Sequence, residues 1–250
     1  ARRDCGEVGG MSKILAQGDG DSGSLATLSA REAALKSILQ IMNRSRDDEM
    51  PVFENILSNA SQICDAPMAW LVLVDETRRN FVDTAFYGEE VRSWRVGEVH
   101  PLEPPSLIAA AILESRTINL ADVAETIHYK ERVPTYVRLV EEEGLRSRLY
   151  APLVANGQAI GCILLSRRNV RPFTDADAAL VETFAEQAVI AIENVRQFRE
   201  LQTRLQREAA TREILEVISR SREDERPVFD VILKNAARLC DAPIARLHLL

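Results

Sequence analysis

Apolar residues along this chain recur with two periods, 3.6 and 2.0, and the switches between them outline its elements. Leu35, Ile38, Leu39 and Met42 stand at i, i+3, i+4 and i+7 within Leu28–Asn43, one face of a helix. A second helix is predicted from Pro51, a residue tolerated in a first helical turn, to Cys64, with Val52, Phe53, Ile56, Leu57, Ala60 and Ile63 inward. Asp65-Ala66-Pro67 stops it. The unbroken apolar run Met68–Val74 indicates a buried strand, Asp75–Asn80 a polar turn and Phe81–Phe86 the returning strand. A third short strand is expected at Ser93–Val99. Pro101, Pro104 and Pro105 then break the chain, Ser106–Ser115 is expected as a short helix and Thr117–Leu120 as a strand.

Residues 122–144 are polar, the composition of a partly helical loop that covers something. Arg148–Val154 and Ala159–Arg167 follow as strands joined through Asn156-Gly157, a hairpin signal because both residues tolerate positive φ. Thr174 is placed to cap a last helix, with Asp175 and Asp177 in its first turn where the helix dipole favours negative charge. No Gly or Pro interrupts Thr174–Ser221, which allows on the order of 70 Å of helix. This order predicts an α+β fold, one antiparallel sheet with helices mostly to one side.

Laid on itself, the chain repeats. Residues 31–74 return at 207–250 with a constant offset of 176, no gap and about 25 of 44 identities. A period of that size is a whole domain plus its connector, far beyond the repeat of a solenoid. The expected organisation is a flexible leader at 1–27, rich in Gly, Asp and Ser, then a complete domain at 28–198. A helical, coiled-coil connector at 195–222 and the start of a second copy at 207–250 follow, the copy stopping at Leu250 within its first strand. A lone strand has no sheet to join.

Composition narrows the partners. With 46% apolar residues, 28% charged residues and a net charge of −7, the chain is globular rather than disordered. Aromatics at 5% leave the core to aliphatic residues, and the absence of a dense Lys/Arg block argues against nucleic acid or anionic lipid as partner. Cys5, Cys64, Cys162 and Cys240 are isolated singletons that fit neither a disulfide framework nor a zinc site, and they suit a reducing cytoplasm. No set of metal ligands stands at a metal-binding spacing. The longest apolar runs, Met68–Val74 and Leu107–Leu113, fall far below the ~18 residues needed to cross a bilayer, so no membrane is expected.

The stretch GLRSRLYAPLVANGQAIGCILLSRRNVRPFTDADAALVETFAEQAVIAIENVRQF at 144–198 resembles the C-terminal half of a GAF domain, and the likeness extends diffusely over 31–198. The second copy resembles the entry to another such domain, in the manner of bacterial tandem-GAF sensors. The resemblance implies a GAF-like antiparallel sheet flanked by helices, a long C-terminal signalling helix, and a small ligand held between the sheet and the segment Pro101–Gly144. It also implies an effector of the histidine-kinase or nucleotide-cyclase type. The Cys-His pair of bilin-binding members is missing, since Cys64 precedes Asp65 and Cys162 precedes Ile163, and so is the residue set of cyclic-nucleotide members. Neither ligand nor cofactor is named by it.

Candidate residues follow from these placements. Trp94, Tyr129, Tyr136, Arg146, Arg148 and Tyr150 lie in or beside the covering segment and its sheet face, where aromatic and Arg groups suit an anionic or planar ligand. His100 and His128 are the histidines of the complete copy, one of which a haem or metal sensor would need as ligand, against the plainer reading of both as exposed loop imidazoles. Cys162 packs in a strand or serves as a redox or covalent-ligand thiol. Cys64 and Cys240 are expected to pack as small apolar residues. Phe184, Ala188, Ala191, Val195, Phe198, Gln202, Leu205 and Ala209 recur at alternating steps of four and three, a heptad seam. The part up to Val195 is expected to pack on its own domain. Val195, Phe198, Gln202, Leu205 and Ala209 are then the seam of a parallel homodimer, and Thr211, Ile214 and Ile218 continue in a shifted phase, a stutter.

No Ser-His-Asp order, phosphate loop or other catalytic motif is present, so no catalytic residue is assigned. Three functions stay open. One is a cytoplasmic sensor relaying ligand binding through a dimeric helix. The others are a thiol-dependent reductase of the GAF type and a ligand-free dimer scaffold.

Overall fold

The computed structural model describes residues 32–34, 36–38, 40–41, 48–89, 91, 94–220, 226–239, 242, 244, 246 and 247. The leader, Cys5 and Cys240 lie outside them, as do Leu35, Leu39 and Met42 of the first predicted helix, whose described positions are helical. Six strands form one sheet in the order β3-β2-β1-β6-β5-β4, every pair antiparallel. They are β1 Met68–Val74, β2 Asn80–Gly88, β3 Val99–Pro101, β4 Ile118–Leu120, β5 Ser147–Ala155 and β6 Gln158–Arg167. Helix α1 is Met50–Ile63 and α2 is Leu107–Leu113. The segment between β4 and β5 carries a 3-10 turn at Val123–Glu125, the short helices α3 Ile127–Lys130 and α4 Pro134–Val137, and a π turn at Arg138–Glu142. Helix α5 runs Asp175–Arg220 and α6 Arg226–Leu239.

The expected strand at Ser93–Val99 starts later than predicted. Arg95–Glu98 makes a turn instead, closed by the Glu98 amide on the Arg95 carbonyl at 3.0 Å, with Gly97 at φ 89°. Only Val99–Pro101 then pairs with β2.

Helices cover both faces of the sheet rather than mostly one, because β1, β5 and β6 bury both of their alternating side-chain sets. On one face Trp70, Val72, Tyr150, Cys162 and Leu164 cluster with Ile108, Ala109 and Ile112 of α2. On the other, Ala69, Leu71, Leu149, Ala151, Ile163 and Leu165 are fully buried, and α1 packs on β1 and β2 with Phe53, Ile56 and Leu57 inward. Each such large side chain contributes about 1.5–3 kcal/mol relative to exposure. The β5–β6 hairpin turns at Asn156 and Gly157 with φ of 51° and 80°, the pair of positive values that the Asn-Gly sequence predicts.

Arg167 shows why Cys-Asp-Ala-Pro is a helix stop. Its guanidinium lies 3.9 Å from the Phe173 ring centroid and donates to the carbonyls of Cys64, Asp65, Arg171 and Pro172. It ties the end of α1 to the approach to α5. Ser61 Oγ donates to the Ala66 carbonyl, and the Ala66 amide returns to the Ser61 carbonyl at 2.9 Å.

The chain divides into two compact units after Ala191. In the first unit, α5 buries Leu180, Val181, Phe184, Ala185 and Ala188. In the second, Asn235 of α6 donates to Glu213 Oε2 at 3.1 Å and to the Val231 carbonyl at 3.0 Å. The same offset of 176 relates this pairing to the first unit, where Asn59 donates to the Asn55 carbonyl at 2.8 Å and Ser37 stands at the place of Glu213. Ala34 and its equivalent Ala210 are both buried, and the Ala242 amide bonds the Ala237 carbonyl as Ala66 bonds Ser61. These local contacts recur at the offset of the sequence repeat. The strand expected after them is not formed at residues 242, 244, 246 and 247. A strand exists through its ladder to a neighbour, and the described residues offer that segment none.

Candidate functional site

The sheet face that carries α2 also carries the chemistry. Register places Met68, Arg148 and Ser166 in one row across β1, β6 and β5, and Trp70, Leu164 and Tyr150 in the next. A bulge in β2 brings its residues to the same side. Leu71 pairs with Ala85 but Val72 with Asp83, so Thr84 is the extra residue. Across that bulge Phe81, Asp83 and Phe86 all face Trp70 and Val72, which unbroken alternation would forbid.

Arg148 stands at the centre. Its side chain is buried at 3% exposure, its Nε donates to Ser166 Oγ at 3.0 Å, and its guanidinium carbon sits 5.0 Å from the ring centroid of Tyr150, 5.8 Å from Trp94 and 5.9 Å from Trp70. Among the described residues no carboxylate forms an ion pair with it. Three cation–π contacts offset about 0.5–2 kcal/mol each, against several kcal/mol for desolvating the charge. A guanidinium so placed is short of one anionic partner.

A pocket of about 220 Å³ opens beside it, bounded by Arg148 and Tyr150 from the sheet, Trp94 and His100 from the β3 approach, and Tyr136 and Leu139 from the covering segment. The Tyr136 hydroxyl donates to the Pro105 carbonyl at 2.6 Å and accepts from the Leu107 amide at 3.2 Å, which pins α4 to the start of α2. Burial pushes the phenols of Tyr136 and Tyr150 above the usual tyrosine range. Both stay neutral hydrogen-bonding groups. A second pocket of about 380 Å³ lies across Trp94, with Trp70, Asp83, Phe86 and Arg95 in its wall.

His100 is stacked between Phe81 and Trp94 at centroid distances of 5.2 and 5.6 Å, and its Nε2 lies 2.9 Å from Asp83 Oδ2. Asp83 is 3% exposed, its Oδ1 is buried without a hydrogen-bond partner, and burial raises its pKa against the lowering effect of His100.

A GAF domain model of the GAF_2 kind matches residues 48–193. The chain belongs to the GAF domain family. No curated protein matches it. Solved structures similar to it include the GAF domain of an Acinetobacter phosphoenolpyruvate-protein phosphotransferase, at TM-score 0.54 and 18% identity, over 67% of this chain and 95% of that one. A segment of a methyl-accepting chemotaxis protein is similar at TM-score 0.54 and 20% identity, over 66% and 99%. The free methionine-R-sulfoxide reductase of Neisseria meningitidis, solved with its substrate, is similar at 0.53 and 18%, over 67% and 90%. The likeness is one of fold. It embraces a signalling protein and an enzyme, so the GAF fold by itself fixes neither role.

Of the residues singled out from the sequence, the fold gathers Trp94, Tyr136, Arg148 and Tyr150 at the pocket. His128 stands behind it, its ring 4.8 Å from that of Tyr136. Tyr129 turns outward to Glu141 at 3.2 Å, and Arg146 forms a two-point pair with Asp122 at 2.8 and 2.5 Å that fixes the start of the covering segment. Neither lines the pocket: Arg146 precedes β5 and is held by Asp122, and hydrogen bonding at the rim claims Tyr129. Cys162 is wholly buried beneath, in the row of Val72 and Pro152, and burial pushes its thiol above the usual range. His100, expected as an exposed loop imidazole, is instead held in β3 at 24% side-chain exposure. In the heptad seam Val195 is buried, Phe198 half-buried, and Gln202, Leu205 and Ala209 are exposed. Among the described residues no helix is long and apolar enough to cross a membrane.

Proposed function

We propose that this chain is the sensing part of a cytoplasmic signal-transduction protein, and that the pocket beside Arg148 takes a small planar anion. The buried, aromatic-caged guanidinium, without a carboxylate partner among the described residues, carries this reading: a ligand carboxylate or comparable anion supplies the missing charge while its flat body lies among Trp94, Tyr136 and Tyr150. The covering segment contributes Tyr136 and Leu139 directly, so a ligand can bias its position.

The output is a parallel homodimer of α5, with Val195, Phe198, Gln202, Leu205 and Ala209 along its seam and an effector of the histidine-kinase or nucleotide-cyclase kind beyond. Support comes from the uninterrupted run Asp175–Arg220 and from Leu201 and Leu205, which are 54% and 56% exposed in the single chain. The mechanism requires the ligand to bind two helix arrangements with unequal affinity. A reductase needs reactive thiols in the pocket, whereas neither Cys64 nor Cys162 lines it and both are buried. The open space beside Arg148 disfavours a ligand-free scaffold. The test is to denature the purified chain and identify released small molecules by mass spectrometry. A stoichiometric organic anion supports the reading, and a neutral or cationic molecule or none contradicts it.

A further inference from the structure

Asp83, Glu98 and His100 come from two adjacent strands and the turn between them, and one ligand atom of each lies within 4.8 Å of the others. We propose that these three side chains form a binding site for a divalent first-row transition cation. The site shares His100 with the wall of the anion pocket, but its argument does not depend on that reading.

The chemistry of the donor set supports it. One imidazole and two carboxylates suit zinc, manganese, iron or cobalt, and two carboxylates neutralise a dication. The separation of 2.9 Å between His100 Nε2 and Asp83 Oδ2 is about the edge that two neighbouring ligands of an octahedral ion span at bonds of about 2.0–2.1 Å. His100 is already oriented, since stacking between Phe81 and Trp94 leaves Nε2 facing the carboxylate. Asp83 itself is short of a partner. A carboxylate at 3% exposure with an orphaned Oδ1 costs free energy that one half-buried imidazole offsets only in part. Glu98 adds like charge beside it, at an exposed position open to an incoming ion.

An ion held there bridges β2, β3 and the Arg95–Glu98 turn. Trp94 adjoins that turn and stands in the walls of both pockets, so metal binding fixes a shared wall.

The test uses the full chain stripped of metal with a chelator and titrated with Co²⁺, read by visible absorption and by quenching of tryptophan fluorescence. The expected result is one equivalent bound, with quenching because Trp94 stacks on His100. Glu98→Gln and His100→Gln each weaken binding at least tenfold, and His128→Ala leaves it unchanged. Glu98 is exposed, so its variant remains informative if a change at Asp83 or His100 prevents folding. Absence of stoichiometric Co²⁺ binding overturns the proposal. So does binding that is equally tight in Glu98→Gln.

Discussion

Arg148 and Ser166 face each other across β5 and β6, and the 3.0 Å bond from Nε to Oγ fixes the guanidinium plane within its ring of Tyr150, Trp94 and Trp70. Such a fixed fork recognises an anion by geometry as well as charge, and a lysine cannot reproduce it. Replacing Ser166 by Ala removes the bond that aims the fork while keeping its charge. The expectation is a loss of about 0.5–1.5 kcal/mol in ligand affinity, roughly threefold to tenfold, measured by calorimetry with the copurifying anion.

Cys162 and Cys64 are expected to be chemically inert in the folded chain. With Cys5 and Cys240 replaced by serine, a thiol reagent should label neither remaining cysteine under native conditions and both after denaturation. Burial is the cause in each case, and at Cys162 it also raises the thiol pKa. Rapid native labelling of Cys162 would revive the reductase.

Asp122 anchors the covering segment. The Arg146 guanidinium beside it, and then the Ala124 amide, hold its carboxyl below the usual carboxylate range. A carboxyl depressed on folding contributes stability that is full above its unfolded pKa and is lost as pH falls through the folded value. Asp122→Asn should therefore cost about 1–2 kcal/mol near neutrality, a range discounted because the Arg146 side chain is 37% exposed and screened. The gap to the parent should close in acid, below about pH 4, in denaturant titrations at a series of pH values.

Gly161 lies against β1 so closely that an added Cβ would meet the Val72 carbonyl oxygen at 2.3 Å, backbone that has no room to yield. Gly161→Ala is expected to destabilise the domain by about 1–3 kcal/mol, visible as a lowered Tm. An unchanged Tm would mean that β1 and β6 are less tightly joined.

On α5, Leu205→Asp removes an exposed seam residue without touching the first unit's core. Sedimentation at tens of micromolar should find the parent dimeric and the variant shifted by roughly a hundredfold in dissociation constant, since one leucine is lost from each copy. A monomeric parent would sink the helical relay and leave the pocket untouched.

The sequence announces much of this architecture because its signals are local. Met68–Val74, the Asn156-Gly157 turn and the uninterrupted stretch after Thr174 each carry a self-contained pattern, and the strands and helix form where those patterns stand. The site is legible only in part. Arg148 and Tyr150 stand out as two residues apart in one strand, hence on one face. Asp83 and His100 do not, because their meeting depends on the pairing of β3 with β2, which sets His100 opposite Phe81 and is a product of tertiary packing. A carboxylate amid Phe81, Val82, Ala85 and Phe86 is the one local clue to it.

The most direct test of the pocket's chemistry pairs charge with its neutral isostere. Trp70 and Trp94 are the only tryptophans and both flank Arg148, so intrinsic fluorescence reports on the surroundings of Arg148. Titrations of benzoate, nicotinate and indole-3-carboxylate against their amides should show a carboxylate that saturates at least tenfold more tightly than its amide, a preference that vanishes in Arg148→Gln. Amides that bind as well as the acids, or a preference that survives in Arg148→Gln, would contradict an anion site at Arg148.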